Sequence, residues 1–389
     1  GSAPEDRGPP ADPPGRAAPS GAPLQVDFVG CKGVVLPDTG PVVCQARGGD
    51  SLTLWFEGSG RPEVNLAATV SAQSGGQRVV IILPSQMPAE ITLDVPGRPV
   101  WRLPLADLPS PSPALSAFRK LSRAGDQGAV EAAHAALTPA EQVEALGVLA
   151  RAQRRLGQTS LAFETLQRAI EADEKAGRWL AAASNGRALS HWLVNAWRYD
   201  EARAVLDRLG RWAPRHAESA ARLAYSKAVL ARRLSDYRGA LRHASWAERR
   251  FERWGLSKMA SYCRNAKGLV FMALGRPEDA ETVFQANLAA LGEDAPAWAR
   301  AFARNNLGVN RLLALQRGRS GPDPAPAFRA ARALYAELGK RAELDLVLLS
   351  LAQSEAIAGR HHEAAAESAI RLVLVFGDEA DDRANAERW

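Results

Sequence analysis

No run of apolar residues in the 389-residue sequence approaches the roughly 18 that a membrane-spanning helix needs, so no membrane span is expected. Lysine is scarce. The 49 basic residues are almost all arginine, and the formal charge of +6 is spread along the chain without Lys/Arg blocks. A dedicated nucleic-acid arm is therefore not expected, and no nucleic-acid partner either. Phosphate-cradling loops are missing too: neither GxGxxG nor GxxxxGK followed by Ser or Thr occurs, and GRSGPDP is not glycine-rich in that sense. Metal-ligand spacing is absent, so neither metal nor cofactor is expected.

A nucleophile with a base is equally hard to find. The six histidines, His134, His191, His216, His243, His361 and His362, share their part of the chain with a single cysteine, Cys263. No glycine-framed serine elbow accompanies them. A Cys263–His191 or Cys263–His243 dyad would lack the strand-end loops that usually hold such pairs rigid, so Cys263 reads as a small core residue. His361-His362 lacks the i, i+4 spacing of two ligands on one helical face and reads as a solvated turn. The chain is not expected to be an enzyme.

What is present falls into two regions of different period. Residues 3–23 are rich in Pro, Gly and Ala and cannot bury enough surface to offset their ordering entropy, so 1–23 reads as a disordered tether. Gly1-Ser2 has the form of a cloning scar, so a native targeting signal is expected to be missing from this sequence. Residues 24–107 alternate with period two, with candidate strands at 24–29, 41–46, 52–57, 64–70, 78–83, 90–95 and 99–105 separated by turn-like clusters such as GSGRP and PGRP. Many short strands in so short a stretch predict a small all-β antiparallel sandwich. Cys31 and Cys44 both lie in it. They are either two buried thiols or one disulfide, and a disulfide would imply an oxidising compartment. The compartment stays open between cytoplasm and cell envelope.

From 113 to 376 the period is 3.6, with 377–389 left as a tail. Small residues return here about every forty positions, at Ala129, Ala162, Ala202, Ala240, Ala280, Ala327 and Ala364. Most follow a short turn such as WRYDE or LGRPED, and many have apolar residues four and eight positions further on. Paired helices cross closely only where a side chain is small, and a hairpin with a second apolar face must stack on a neighbour. About seven helix pairs forming an all-α superhelical solenoid are predicted.

The stretch NAKGLVFMALGRPEDAETVF (265–284), with Gly268, Phe271, Ala280 and Phe284, and RNNLGVNRLLAL (304–315), with Gly308, resemble tetratricopeptide (TPR) repeats. Ala150, Ser190, Ala228 and Ala352 stand where that family usually has glycine, and the longer period is similar to that of the longer-helix repeats of kinesin light chains and bacterial signalling ATPases. A strand module containing GCKGVVLPDTGPVVCQARGGDSLTLWF (30–56) ahead of long repeats resembles the non-catalytic N-terminal part of myxobacterial-type CHAT proteins, in which a caspase-like peptidase follows. That layout implies an attached peptidase domain, which this sequence does not contain.

The TPR resemblance implies a protein or peptide partner held on the concave face by the first helix of each pair. Counting back from the small residues gives Arg187, Asn195, Tyr225, Arg232, Arg264, Asn265, Arg304 and Asn305. Asparagine can donate to and accept from one peptide unit, and arginine grips a carboxylate bidentately. Inter-repeat hydrogen bonding or plain solvation would account for the same residues. Trp179, Trp192, Trp197, Trp212, Trp246, Trp254 and Trp298 read mostly as wedges between helices, with room for one or two exposed anchors. The expected function is protein recognition and regulation, plausibly of a CHAT peptidase; the rival is an envelope-associated assembly scaffold without an effector.

Overall fold

The computed structural model describes residues 24–36, 41–58, 61–73, 75–108 and 110–376; the tether and tail read from the sequence, 1–23 and 377–389, lie outside them. The chain forms two compact units, residues 1–235 and 236–389.

The first unit opens with strands β1 (Val26–Val29), β2 (Gly33–Val35), β3 (Val43–Ala46), β4 (Ser51–Glu57), β5 (Glu63–Val64), β6 (Ala68–Gln73), β7 (Gly76–Ile82), β8 (Glu90–Asp94) and β9 (Trp101–Asp107). They make a four-stranded sheet in the order β1-β4-β7-β6 and a five-stranded sheet in the order β2-β3-β9-β8-β5. Period two explains their faces. Leu52, Leu54 and Phe56 of β4 turn inward with Val79 and Ile81 of β7, while Ile91 and Leu93 come from the other sheet. Ile82 at the end of β7 is left exposed.

The sheets differ from the expected all-antiparallel sandwich in one ladder. β3 and β9 run parallel, with Cys44 opposite Leu105. Alternation fixes which face a strand buries and says nothing of its neighbour. For the same reason β2 was not foreseen and the expected strand 64–70 divides into β5 and β6. Cys31 and Cys44 are joined in a disulfide across the β2–β3 pair, where Val34 faces Cys44.

The same unit continues with helices α1 (Pro113–Leu121), α2 (Gln127–Ala135), α3 (Pro139–Arg155), α4 (Thr159–Lys175), α5 (Trp179–Asn195), α6 (Tyr199–Gly210) and α7 (Ala217–Arg233). Ser112 caps α1, its Oγ accepting from the Leu115 amide at 3.1 Å, and Pro113 takes the first helical position, where a missing N–H costs nothing. Thr138 and Glu141 close α3 with a reciprocal capping box. The second unit holds α8 (Tyr237–Arg253), α9 (Ser257–Ala273), α10 (Pro277–Leu291), α11 (Ala297–Gln316), α12 (Ala325–Glu337), α13 (Arg341–Ile357) and α14 (His361–Phe376). None of the described helices is long and apolar enough to cross a membrane.

The helices form TPR-like hairpins joined by short turns. Ala162, Ala202, Ala240 and Ala280 are fully buried on α4, α6, α8 and α10. On the helix before, a methyl group placed on Gly268 would overlap the Phe284 ring, and one on Gly308 would come within 2.8 Å of Phe328. Those aromatic rings occupy the space a side chain would need, which is why glycine recurs.

Three positions need correcting. On the short α2, Val130 rather than the half-buried Ala129 enters the core. Ala364 is only partly buried. In the pair α11–α12, Phe328, one residue after Ala327, meets the glycine, because the insertion 316–326 shifts the spacing. Glycines that sequence spacing overlooked do similar work: Gly186 admits Leu209 and Gly147 admits Asn185.

The change of period at 108–114 marks a change of secondary structure, whereas the compact units divide elsewhere, between Ser235 and Asp236. The sheets belong with α1–α7. Phe28 of β1 meets the His216 ring edge-on at 5.4 Å, and the Gly30 amide reaches Glu218 Oε2 at 3.4 Å. The apolar interior of the sheets continues into the helices.

Candidate partner-binding face

Within the first unit, α3, α5 and α7 are the first helices of their pairs, and their surface carries two connected features. One is a half-open cleft of about 1030 Å³ between β2–β3 and helices α1, α3 and α5. At its inner end Asp173, only 4% exposed, accepts from Arg178 Nε at 2.8 Å and from Asn185 Nδ2 at 2.8 Å. Burial pushes the Asp173 carboxyl up from its ordinary value, against the pull of those two donors. Beside it Arg151 donates to its own helix, to the Gly147 carbonyl at 2.5 Å. Burial moves the Arg151 guanidinium down and the Asp173 charge opposes that. Arg119, by contrast, pairs with Glu144 at 2.8 Å, and Lys32 lies 3.9 Å from Asp50.

The second feature lies toward the C-terminal ends of the same helices. Arg154 of α3 stacks over Trp192 of α5, its guanidinium carbon 4.5 Å from the ring centre. Trp192 stacks on Phe163 at 6.1 Å, and Phe163 carries Arg198 on its face at 5.1 Å. This is a cation–aromatic–aromatic–cation column built by three helices and a turn. His191, next along α5, is exposed. Desolvation first, then the charges of Arg154, Arg187 and Arg233, pushes its imidazole down from the ordinary value. Arginines of α3, α5 and α7 thus lie near one histidine, and Arg187 also makes a contact inside the molecule.

Of the residues singled out from the sequence, Arg187 lies in this cluster, and Asn195 ends α5 in full exposure. Tyr225 and Arg232 sit half-buried on α7 and make contacts inside the molecule. Arg154, His191 and Arg233 were missed. Their signal was a basic residue near the end of each alternate helix.

The second unit treats its charges differently. Arg264 is clamped between Glu248, at 3.0 Å, and Glu252, and Lys267 joins Glu248 at 2.7 Å. Asn265 is 2% exposed and its Oδ1 accepts from Asn306 Nδ2 at 3.2 Å. The Arg264-Asn265 and Arg304-Asn305 ladder expected from the sequence is thus shifted by one. Asn306 meets Asn265, because the side of α11 that faces α9 is set by packing. At this depth Asn265 serves packing rather than presentation. Arg304 reaches Glu293 at 3.5 Å and Asn305 is half-buried. Asn310 and Arg311, unremarked in the sequence, tie α11 to α10 through the Pro277 carbonyl at 3.0 Å and Glu281 at 2.6 Å.

No chemistry of a nucleophile emerges at Cys263. It is fully buried on α9, and burial pushes its thiol far above the ordinary value. His361 and His362 lie exposed at the start of α14.

No family model and no curated protein matches this chain. Among solved structures it is similar to the apo form of RapI, at a TM-score of 0.49 and 10% identity over 67% of this chain and 96% of that one. It is also similar to a Rap protein complexed with Competence and Sporulation Factor, at 0.48 and 15% over 67% and 70%. The apo quorum sensor NprR from B. thuringiensis gives 0.43 and 14% over 67% and 86%. At such scores the likenesses carry no argument about what this chain binds.

Proposed function

We propose that the chain is a recognition and regulatory module that holds an acidic protein segment against the α3–α5–α7 face of its first unit. The observation that carries this reading is Arg154 of α3, whose guanidinium lies on the Trp192 ring at 4.5 Å, with Arg187 and Arg233 near it around His191. An arginine face gains most from a carboxylate-bearing partner, since guanidinium groups donate in pairs to planar anions. The neighbouring cleft, where Arg151 donates to the Gly147 carbonyl, gives such a segment room to continue. Asn195, at the end of α5, stands beside the path as a donor and acceptor for peptide backbone.

The finer reading is that the segment, or an effector joined to the chain, belongs to a caspase-like CHAT peptidase, with this chain as its non-catalytic controller. The layout of a strand module ahead of long TPR-like repeats supports it. Crosslinked pull-down with the full native reading frame tests both levels. Recovery of a partner through an acidic segment, lost in the Arg154→Gln/Arg233→Gln variant, supports recognition, and a peptidase among the partners supports the effector. No partner, or one indifferent to that variant, counts against the reading.

A second reading, an envelope-associated scaffold with no effector, is favoured by the Cys31–Cys44 disulfide, since such bonds persist in oxidising compartments. Thiol titration of denatured native protein separates the two. One free thiol fits export, and three argue against it.

A further inference from the structure

Glycine holds most turns between helices, and two turns depart from it: Ser235 stands at φ 62° after α7, and a far bulkier residue stands after α5. Gly157 and Gly177 in the first unit, and Gly255, Gly275, Gly318, Gly339 and Gly359 in the second, carry a positive φ at the turns between helices. At the α5–α6 turn the same conformation, φ 62°, is imposed on Trp197. A bulky side chain is strained there, whereas glycine is at ease. The strain is not offset by burial, because Trp197 is 73% exposed. Its ring lies beside that of Tyr199, at 6.0 Å. A strained residue that contributes so little to packing is the kind kept for contact with something else.

Its surroundings indicate what that is. Trp197 follows α5 directly, two positions past Asn195 and one before Arg198, the outer cation of the Arg154–Trp192–Phe163–Arg198 column. Arg198 also lines a furrow of about 490 Å³ between α4 and α6, floored by Phe163, Leu189, Leu193 and Val205. Arg198 is held by both oxygens of Glu201, at 2.6 and 2.7 Å. The furrow has an apolar floor, and its walls carry Glu164, Glu201 and Arg208 besides Arg198; the exposed indole lies outside it, next in sequence to Arg198, and toward the ends of α3 and α7 stand Arg154 and Arg233.

We infer that Trp197 is the apolar anchor of the partner site, and that the partner is an acidic segment carrying an aliphatic side chain that packs on the indole. This rests on the acidic-segment reading above and adds its specificity. An exposed aromatic supplies large contact area with little entropy to lose, which is why tryptophan recurs at binding hot spots.

The test uses the full chain and two fluorescein-labelled ten-residue probes of Asp, Glu and Ser, one with a central leucine and one with serine in its place. Wild type is expected to bind the leucine probe at least about tenfold more tightly than the serine probe. Trp197→Asn, which suits a left-handed position, is expected to remove that difference while the melting temperature stays level or rises. Equal binding of both probes by wild type, or a leucine preference surviving in Trp197→Asn, overturns the anchor and leaves the acidic-segment reading standing. A clear fall in melting temperature for both Trp197→Asn and Trp197→Gly assigns Trp197 a structural role and also overturns it. Failure of wild type to bind either probe at low salt removes the acidic-segment reading itself, and the anchor with it.

Discussion

Both compact units clasp arginines with carboxylates, as Asp173 does Arg178 and Glu174 does Arg208 in the first, but the first also gathers cations around a histidine. In the second, guanidinium groups are clasped by carboxylates of neighbouring helices: Arg311 by Glu281, Arg264 by Glu248, and Arg329 and Arg360 together by Glu355, which is fully buried. In the first, α3, α5 and α7 bring Arg154, Arg187 and Arg233 near one histidine, whose imidazole they push down after desolvation has done so. Composition cannot tell the two uses apart, since both units are arginine-rich, and only the position of the acids does.

The comparison breaks most visibly at Glu355. Removing this buried carboxylate leaves Arg329 without its acceptor and Arg360 with Asp323 alone, so Glu355→Ala is expected to cost about 3–5 kcal/mol, read as a fall in the denaturant midpoint. A loss under 1 kcal/mol would mean that the clasped charges are ornamental.

Next comes the seat of the sheets on α7. His216 is 1% exposed, its Nδ1 lies 3.0 Å from Ser219 Oγ, and burial pushes its pKa down to about 4. The unfolded chain therefore takes up a proton that the folded chain refuses. Stability is full above the unfolded value near 6.5 and falls as pH drops from there toward 4, by roughly 3 kcal/mol for this group. Denaturation at pH 7 and pH 4.5 should show the slope, and His216→Asn, which retains a helix cap, should flatten it. An equal slope in both proteins rules out this origin.

A smaller effect is expected at the crossing of α9 and α10. Gly268→Ala must displace the Phe284 ring and should lower stability by about 1–3 kcal/mol; a neutral result would mean the rings move freely. The smallest effect sharpens the contrast: Arg233→Gln should change stability by less than about 0.5 kcal/mol, and upward, because it relieves repulsion in place of breaking a pair. A marked loss would show that Arg233 is structural after all.

How much of this could be read from the residues follows from the range of the forces involved. Hairpins were legible because small residues at Ala162, Ala202, Ala240 and Ala280 meet a local packing demand that repeats. Inward faces of β4, β7 and β8 were legible from alternation. The parallel β3–β9 ladder, the β1 seat on His216 and Glu218, and the Asn265–Asn306 contact were not, because each depends on which distant segment becomes the neighbour. At the candidate face Arg187 and Asn195 were reached by counting back within a repeat. Arg154, His191 and Arg233 required three helices to be placed side by side, and the clue that Trp197 matters lies in its backbone angle.

Ionic strength tests the central claim most directly. The affinity of the full chain for a labelled acidic peptide should fall steeply as sodium chloride rises from low to physiological concentration, because exposed cations are screened. The Arg154→Gln/Arg233→Gln variant should bind weakly throughout, with a shallower dependence on salt. Affinity independent of salt, or a variant indistinguishable from wild type, would contradict the account.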